Sequence, residues 1–182
     1  MLAVEENPPM LSPTAKSLVE ISGPWRIAHT KSRAEKAFCW DLVRLQLDFF
    51  LPMLERITFS GGRRRHVLCP MFPSYVFFSG SDGDRYEALT TNRLCQILEV
   101  KDQQKLVDEL IWIETALRGK AVLDAYPHAV VGRRCRVRSG PLMGVEGIVV
   151  ERSKLTRLAL QVSMLGQGAS LQIHPDLLEP LD

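Results

Sequence analysis

Helical periodicity stops two-thirds of the way along this chain, and that change of pattern constrains the fold more than any other feature. Before residue 118 there are two strong helical repeats. Phe38, Leu42, Leu45 and Phe49 recur at helical spacing, with Cys39 and Val43 alongside, so the spacing predicts a helix ending near Pro52. Ser32 and Glu35 stand at capping-box spacing ahead of it. The second repeat runs from Asp102 through Leu106, Leu110, Ile113 and Leu117. After residue 129 only short alternating runs remain, punctuated by glycine: RCRVR, GIVVE, RLALQVSML and ASLQIH. Such a chain reads as an α+β domain followed by an all-β one of small-barrel type.

Between and around the helices lie strand-like runs. GPWRIAHT (23–30) opens on Trp25; LERITF (54–59) and HVLCP (66–70) flank a glycine turn and read as a hairpin; SYVFF and LCQILEV supply two more. DGDRYEALTTN (82–92) reads as a short helix capped by Asp82 or Asp84. The expected order is a mobile leader at 1–23, an α/β sandwich at 24–118, a linker at 119–128 and the barrel at 129–182. The leader holds three prolines and no sustained period, and the linker has no period and a proline of its own.

Composition excludes several classes. A formal net charge of +2 over 182 residues is too small to imply a polyanion partner, so any basic site must be local. Cys39, Cys69, Cys95 and Cys135 are widely spaced and no histidine stands near them at ligand spacing, which points to isolated thiols and no metal or other cofactor. The first residues are acidic and proline-broken, unlike a signal peptide, and no apolar run is long enough to span a membrane; a cytoplasmic, reduced setting is expected. No phosphate-cradling loop, dinucleotide fingerprint, HExxH or nucleophile elbow is present. The chain therefore reads as a binding protein and not as an enzyme.

Three features could bind something. Arg63, Arg64 and Arg65 follow a double glycine, as a solvated basic turn or as a contact to nucleic-acid phosphate. Arg134, Arg136 and Arg138 share one face of the first barrel strand, opposite Cys135 and Val137, and Arg133 precedes them; solvent, RNA or protein could face them. The third is PMFPSYVFFSG (70–80), where alternation sends Tyr75 and Phe77 to one face and Val76 and Phe78 to the other. Residue physics alone leaves core and interface equally open for these aromatics.

Four motifs in order resemble the NusG family of two-domain bacterial transcription elongation factors. They are the W-x-I start at Trp25, K-S-R-A-E-K at 31–36, P-x-F-P-S-Y-V-F at 70–77, and V-R-x-G-P-x-x-G-x-x-G at 137–147. The last resembles a KOW motif, with Gly140, Pro141, Gly144 and Gly147 at the turn between the first two barrel strands. The resemblance implies an SH3-like barrel and an N-terminal domain that grips the clamp helices of the largest RNA polymerase subunit. It maps that contact onto Phe72, Pro73, Tyr75 and Phe77, with His29 and Lys31 nearby. It further implies partner recruitment, of a small-subunit ribosomal protein or Rho, through the barrel tip Met164, Leu165 and Gly166. Housekeeping members read P-G-Y where Ser74 stands here, so the chain is similar to operon-specific antiterminators such as RfaH. A KOW-containing, ribosome-associated RNA-binding protein is the alternative.

Overall fold

Alternating apolar runs and two helices build the first of two compact units, Met1–Gln103 and Gln104–Asp182. The computed structural model describes residues 7–121, 123–126, 132–152 and 155–181. The first unit contains β1 (Trp25–Thr30), α1 (Glu35–Arg44), β2 (Asp48–Phe50), β3 (Met53–Ser60), β4 (Arg63–Pro70), β5 (Tyr75–Ser79), α2 (Asp82–Thr90) and β6 (Leu94–Leu98). An antiparallel sheet runs β2-β5-β1-β6, and β3 with β4 forms a separate two-stranded ribbon.

One face of the four-stranded sheet is covered by helices. Phe38, Cys39 and Leu42 of α1 and Ala88 of α2 pack with Ala28, Phe49, Val76 and Phe78 in a single buried cluster. Phe38 meets Phe78 edge-on, with centroids 6.2 Å apart. Each such side chain contributes about 1.5–3 kcal/mol through its burial. The opposite side of β5 and β1 is also buried, through Trp25, Ile27 and Phe77.

Three expectations about this unit are corrected. Helix α1 stops at Arg44, because Gln46 takes a left-handed φ of 57° and reverses the chain. Phe49 kept the helical spacing by coincidence, since β2 returns it to the same core. The Ser32–Glu35 capping box does not form either: Ala34 caps α1 without a side-chain bond, and Glu35 is buried. Helix α2 is capped by Ser81 and not by Asp82 or Asp84. The Ser81 hydroxyl accepts from Asp84 N at 3.3 Å, and Asp84 Oδ2 accepts from Ser81 N at 2.7 Å. Hydrogen bonds from the Ser81 hydroxyl and backbone hold the Asp84 carboxyl below its usual pKa.

The leader is not free from residue 7 onward; residues 1–6 lie outside the described residues. Leu51 N donates to Met10 O at 2.6 Å and Ser12 N to Phe49 O at 3.0 Å, so Leu11 bridges Phe50 on the outer edge of β2. The hydroxyls of Ser12 and Thr14 both donate to Asp48 Oδ1, at 2.7 and 2.6 Å. Leu18 anchors the segment with 1% exposure. An edge strand leaves unpaired backbone groups, and this leader satisfies part of that row.

The second unit begins with α3 (Gln103–Arg118) and continues through β7 (Leu123–Tyr126), β8 (Arg133–Val137), β9 (Glu146–Arg152), β10 (Leu155–Val162), β11 (Gln167–Gln172) and β12 (Leu178–Pro180). These six strands form one antiparallel sheet in the order β12-β8-β9-β10-β11-β7. The chain is thus α+β with a C-terminal all-β region. Strand β7 falls in the segment expected to be a linker and pairs with β11, from Leu123 opposite Leu171 to Tyr126 opposite Gly168. Residues 122 and 127–128 of that segment lie outside the described residues. No helix among the described residues is long and apolar enough to cross a membrane.

Candidate functional site

Antiparallel pairing places His29 of β1 directly opposite Tyr75 of β5. Their rings stack with centroids 5.0 Å apart and planes 21° from parallel. Both are half-buried, at the end of the sheet where β5 begins, and Gln96 of β6 pairs with His29 on its other side. Lys31 follows β1 and is exposed, with Nζ donating to Asn92 Oδ1 at 2.8 Å. Pro73 is exposed on the loop into β5. The structure therefore brings His29 and Tyr75 into contact, with Lys31 and Pro73 each two residues along the chain. Asn92 and Gln96 adjoin them and were not singled out from the sequence, because neither belongs to a motif or an apolar period.

Phe72 and Phe77 do not join that surface. They are 1% and 0% exposed and meet each other edge-on at 5.5 Å. From Val76 to Ser79 every residue of β5 is buried, so both of its faces are covered there. Alternation assigned Tyr75 and Phe77 to the same face correctly. It carried no information about where along that face the cover begins.

Ser74 is held in an unusual backbone conformation. Its φ of 65° lies in the left-handed region, where a residue with a Cβ is disfavoured and glycine is not. Two bonds secure it: Glu35 Oε1 accepts from Ser74 N at 2.6 Å, and Thr30 N donates to Ser74 O at 2.8 Å. The buried carboxylate that fails to cap α1 thus fixes the loop that presents Pro73 and Tyr75. It also helps burial push up the Cys39 thiol pKa, burial being the larger cause.

The basic hairpin differs from expectation. Its turn is Gly61 and Gly62, at φ 58° and 72°, while Arg63, Arg64 and Arg65 are the first residues of β4 and pair with Ser60, Phe59 and Thr58. In the second unit, Gly140 and Gly144 take φ of 88° and 87° in the turn between β8 and β9, and Pro141 is exposed there. Gly147 is not a turn residue. It lies within β9, where a Cβ would come 2.6 Å from Ala159 O. Met164, Leu165 and Gly166 occupy the turn between β10 and β11, with Met164 46% exposed and Leu165 half-buried. Glu109 of α3 holds the start of that turn, accepting from Ser163 N at 3.0 Å and from the Ser163 hydroxyl.

Arg134 and Arg136 of β8 both turn to Glu146 of β9, at 3.1 and 2.6 Å. The Arg136 guanidinium pKa is raised, first by its hydrogen bond to Glu146. Arg138 donates to Asp176 O at 2.9 Å. Cys135 and Val137 point inward, as alternation predicts.

Two solved structures are similar at low identity. One, described as "Domain interaction in Thermotoga maritima NusG", is 17% identical over 87% of this chain and 97% of that one, with a TM-score of 0.46. The other, an MjSpt4:Spt5 complex, is 15% identical over the same shares, with a TM-score of 0.27. Neither score is high enough to bear on the site. No curated protein matches the chain. Residues 23–114 match the model of the family described as "Transcription termination factor nusG". That match spans just over half of the 182 residues and takes in the His29–Tyr75 pair, the Ser74 loop and the hairpin, so the chain belongs to the NusG family of transcription factors.

Proposed function

We propose that this protein is a transcription elongation or antitermination factor that acts by binding and performs no catalysis. The first unit docks on the clamp helices of the largest RNA polymerase subunit through His29, Lys31, Pro73 and Tyr75. The observation that carries this reading is the stacked His29–Tyr75 pair, a half-buried aromatic surface on the rigid end of a sheet. Such a surface loses little freedom on binding, and aromatic anchors dominate interface energetics. The second unit recruits a ribosomal protein or Rho through Met164, Leu165 and Gly166. Ser74, where the resemblance has glycine, fits a specialised, operon-specific member. The ribosome-associated alternative is less favoured, because Arg134 and Arg136 are both engaged by Glu146 and the whole chain carries a formal charge of only +2.

Polymerase pull-down with Tyr75→Ala tests this reading. Loss of polymerase binding with an unchanged melting temperature is expected. Full binding by the variant, or its unfolding, would sink the assignment of Tyr75.

A further inference from the structure

We propose that the β3–β4 hairpin is a binding site for single-stranded nucleic acid, with Phe59 as a base-stacking platform and the surrounding arginines as phosphate contacts. The cross-strand register divides the ribbon into two faces. Phe59 stands opposite Arg64 and Ile57 opposite His66 on one face; Arg63, Arg65 and Arg56 share the other with Thr58 and Val67. The ribbon is anchored at its base, where Met53 and Leu54 are buried, and is exposed toward its tip. Phe59 is 77% exposed and Ile57 46%, so no core requires an aromatic ring at this position.

The charge is concentrated here. Four arginines and Glu55 give residues 53–70 a formal +3 with His66 neutral, against +2 for the whole chain. Glu55, the one carboxylate of the ribbon, lies 2.5 Å from His66 Nδ1. Arg56, Arg63, Arg64 and Arg65 form no ion pair among the described residues. Unpaired guanidiniums on a polar ribbon are complementary to a polyanion, and counter-ion release would drive the contact.

Phe59 selects the kind of polyanion. In a duplex the base faces are stacked on one another and offer an aromatic ring nothing to pack on. A single strand presents free base faces, and stacking on an aromatic side chain adds affinity regardless of base identity. Arg64, directly across from Phe59, can bond the phosphate of the stacked nucleotide, while Arg63 and Arg65 receive neighbouring phosphates across the ribbon's narrow edge.

Fluorescence anisotropy of the full-length chain tests this without polymerase, so its failure would leave the docking proposal untouched. The probes are a labelled oligothymidylate of about twelve nucleotides, a duplex of the same length, and vesicles containing an anionic phospholipid. Preferential binding of the single strand is expected. Phe59→Ala should weaken it about tenfold or more with the salt slope unchanged. Replacing Arg56, Arg63 and Arg65 together by glutamine should lower the slope of log K against log salt by about 2, at roughly 0.7 per phosphate. Circular dichroism should show both variants folded. Equal affinity for duplex and single strand with no effect of Phe59→Ala, binding of the vesicles alone, or indifference to all four residues would overturn the proposal.

Discussion

Strands β4 and β8 both open on consecutive arginines, and both lie in antiparallel pairs, yet they have opposite fates. Opposite Arg136 stands Glu146, which also reaches Arg134, so two arginines of β8 share a carboxylate within their own sheet. Opposite Arg63, Arg64 and Arg65 stand Ser60, Phe59 and Thr58, none of which carries charge. An arginine run therefore says little by itself about binding. Its meaning depends on whether the facing strand supplies a carboxylate.

The comparison is sharpest in what each region contributes to stability. Leu158 of β10 is fully buried in the second unit, and Leu158→Ala should cost about 2–5 kcal/mol in denaturant unfolding. Phe59→Ala, at the exposed hairpin tip, should change stability by no more than about 0.5 kcal/mol. A large loss from Phe59→Ala would mean that the ribbon packs on something and is no free surface. A smaller effect tests a carboxylate doing for backbone what Glu146 does for side chains. Glu35 holds Ser74 in the left-handed region, so Ser74→Gly should stabilise the first unit by about 1 kcal/mol, as relief of backbone strain. Destabilisation by that change would show that the serine is not strained. Glu146→Gln should also cost less than about 1 kcal/mol, because the pairs it makes are exposed, and that cost should vanish in molar salt. Persistence of the cost in salt would separate β8 from β4 by packing and not by charge.

Much of the fold was legible in the sequence for local reasons. Apolar runs located β1 and β5, period-two alternation assigned the faces of β5 and β8, and the helical repeat from Leu106 to Ile113 located α3. The errors came where distant residues decide. Phe49 matched a helical repeat because helix and strand feed one core. Glu35 matched a capping box, yet its carboxylate serves a loop 39 residues away. The leader has no period because backbone bonds to β2, together with Leu18, hold it in place.

The candidate site was half legible. Motifs led to His29, Lys31, Pro73 and Tyr75, and alternation led to the shared face of Tyr75 and Phe77. What the sequence by itself determined was this order of elements, their faces, and the family resemblance. Side-chain direction along a strand is a local period, and a local period survives any packing. The tertiary structure alone decided that Tyr75 reaches the surface while Phe77 does not, and that Arg134 and Arg136 of β8 are paired while the arginines of β4 form no ion pair among the described residues. Burial and ion pairing depend on which strands become neighbours, and that neighbourhood is set by the packing of the whole unit.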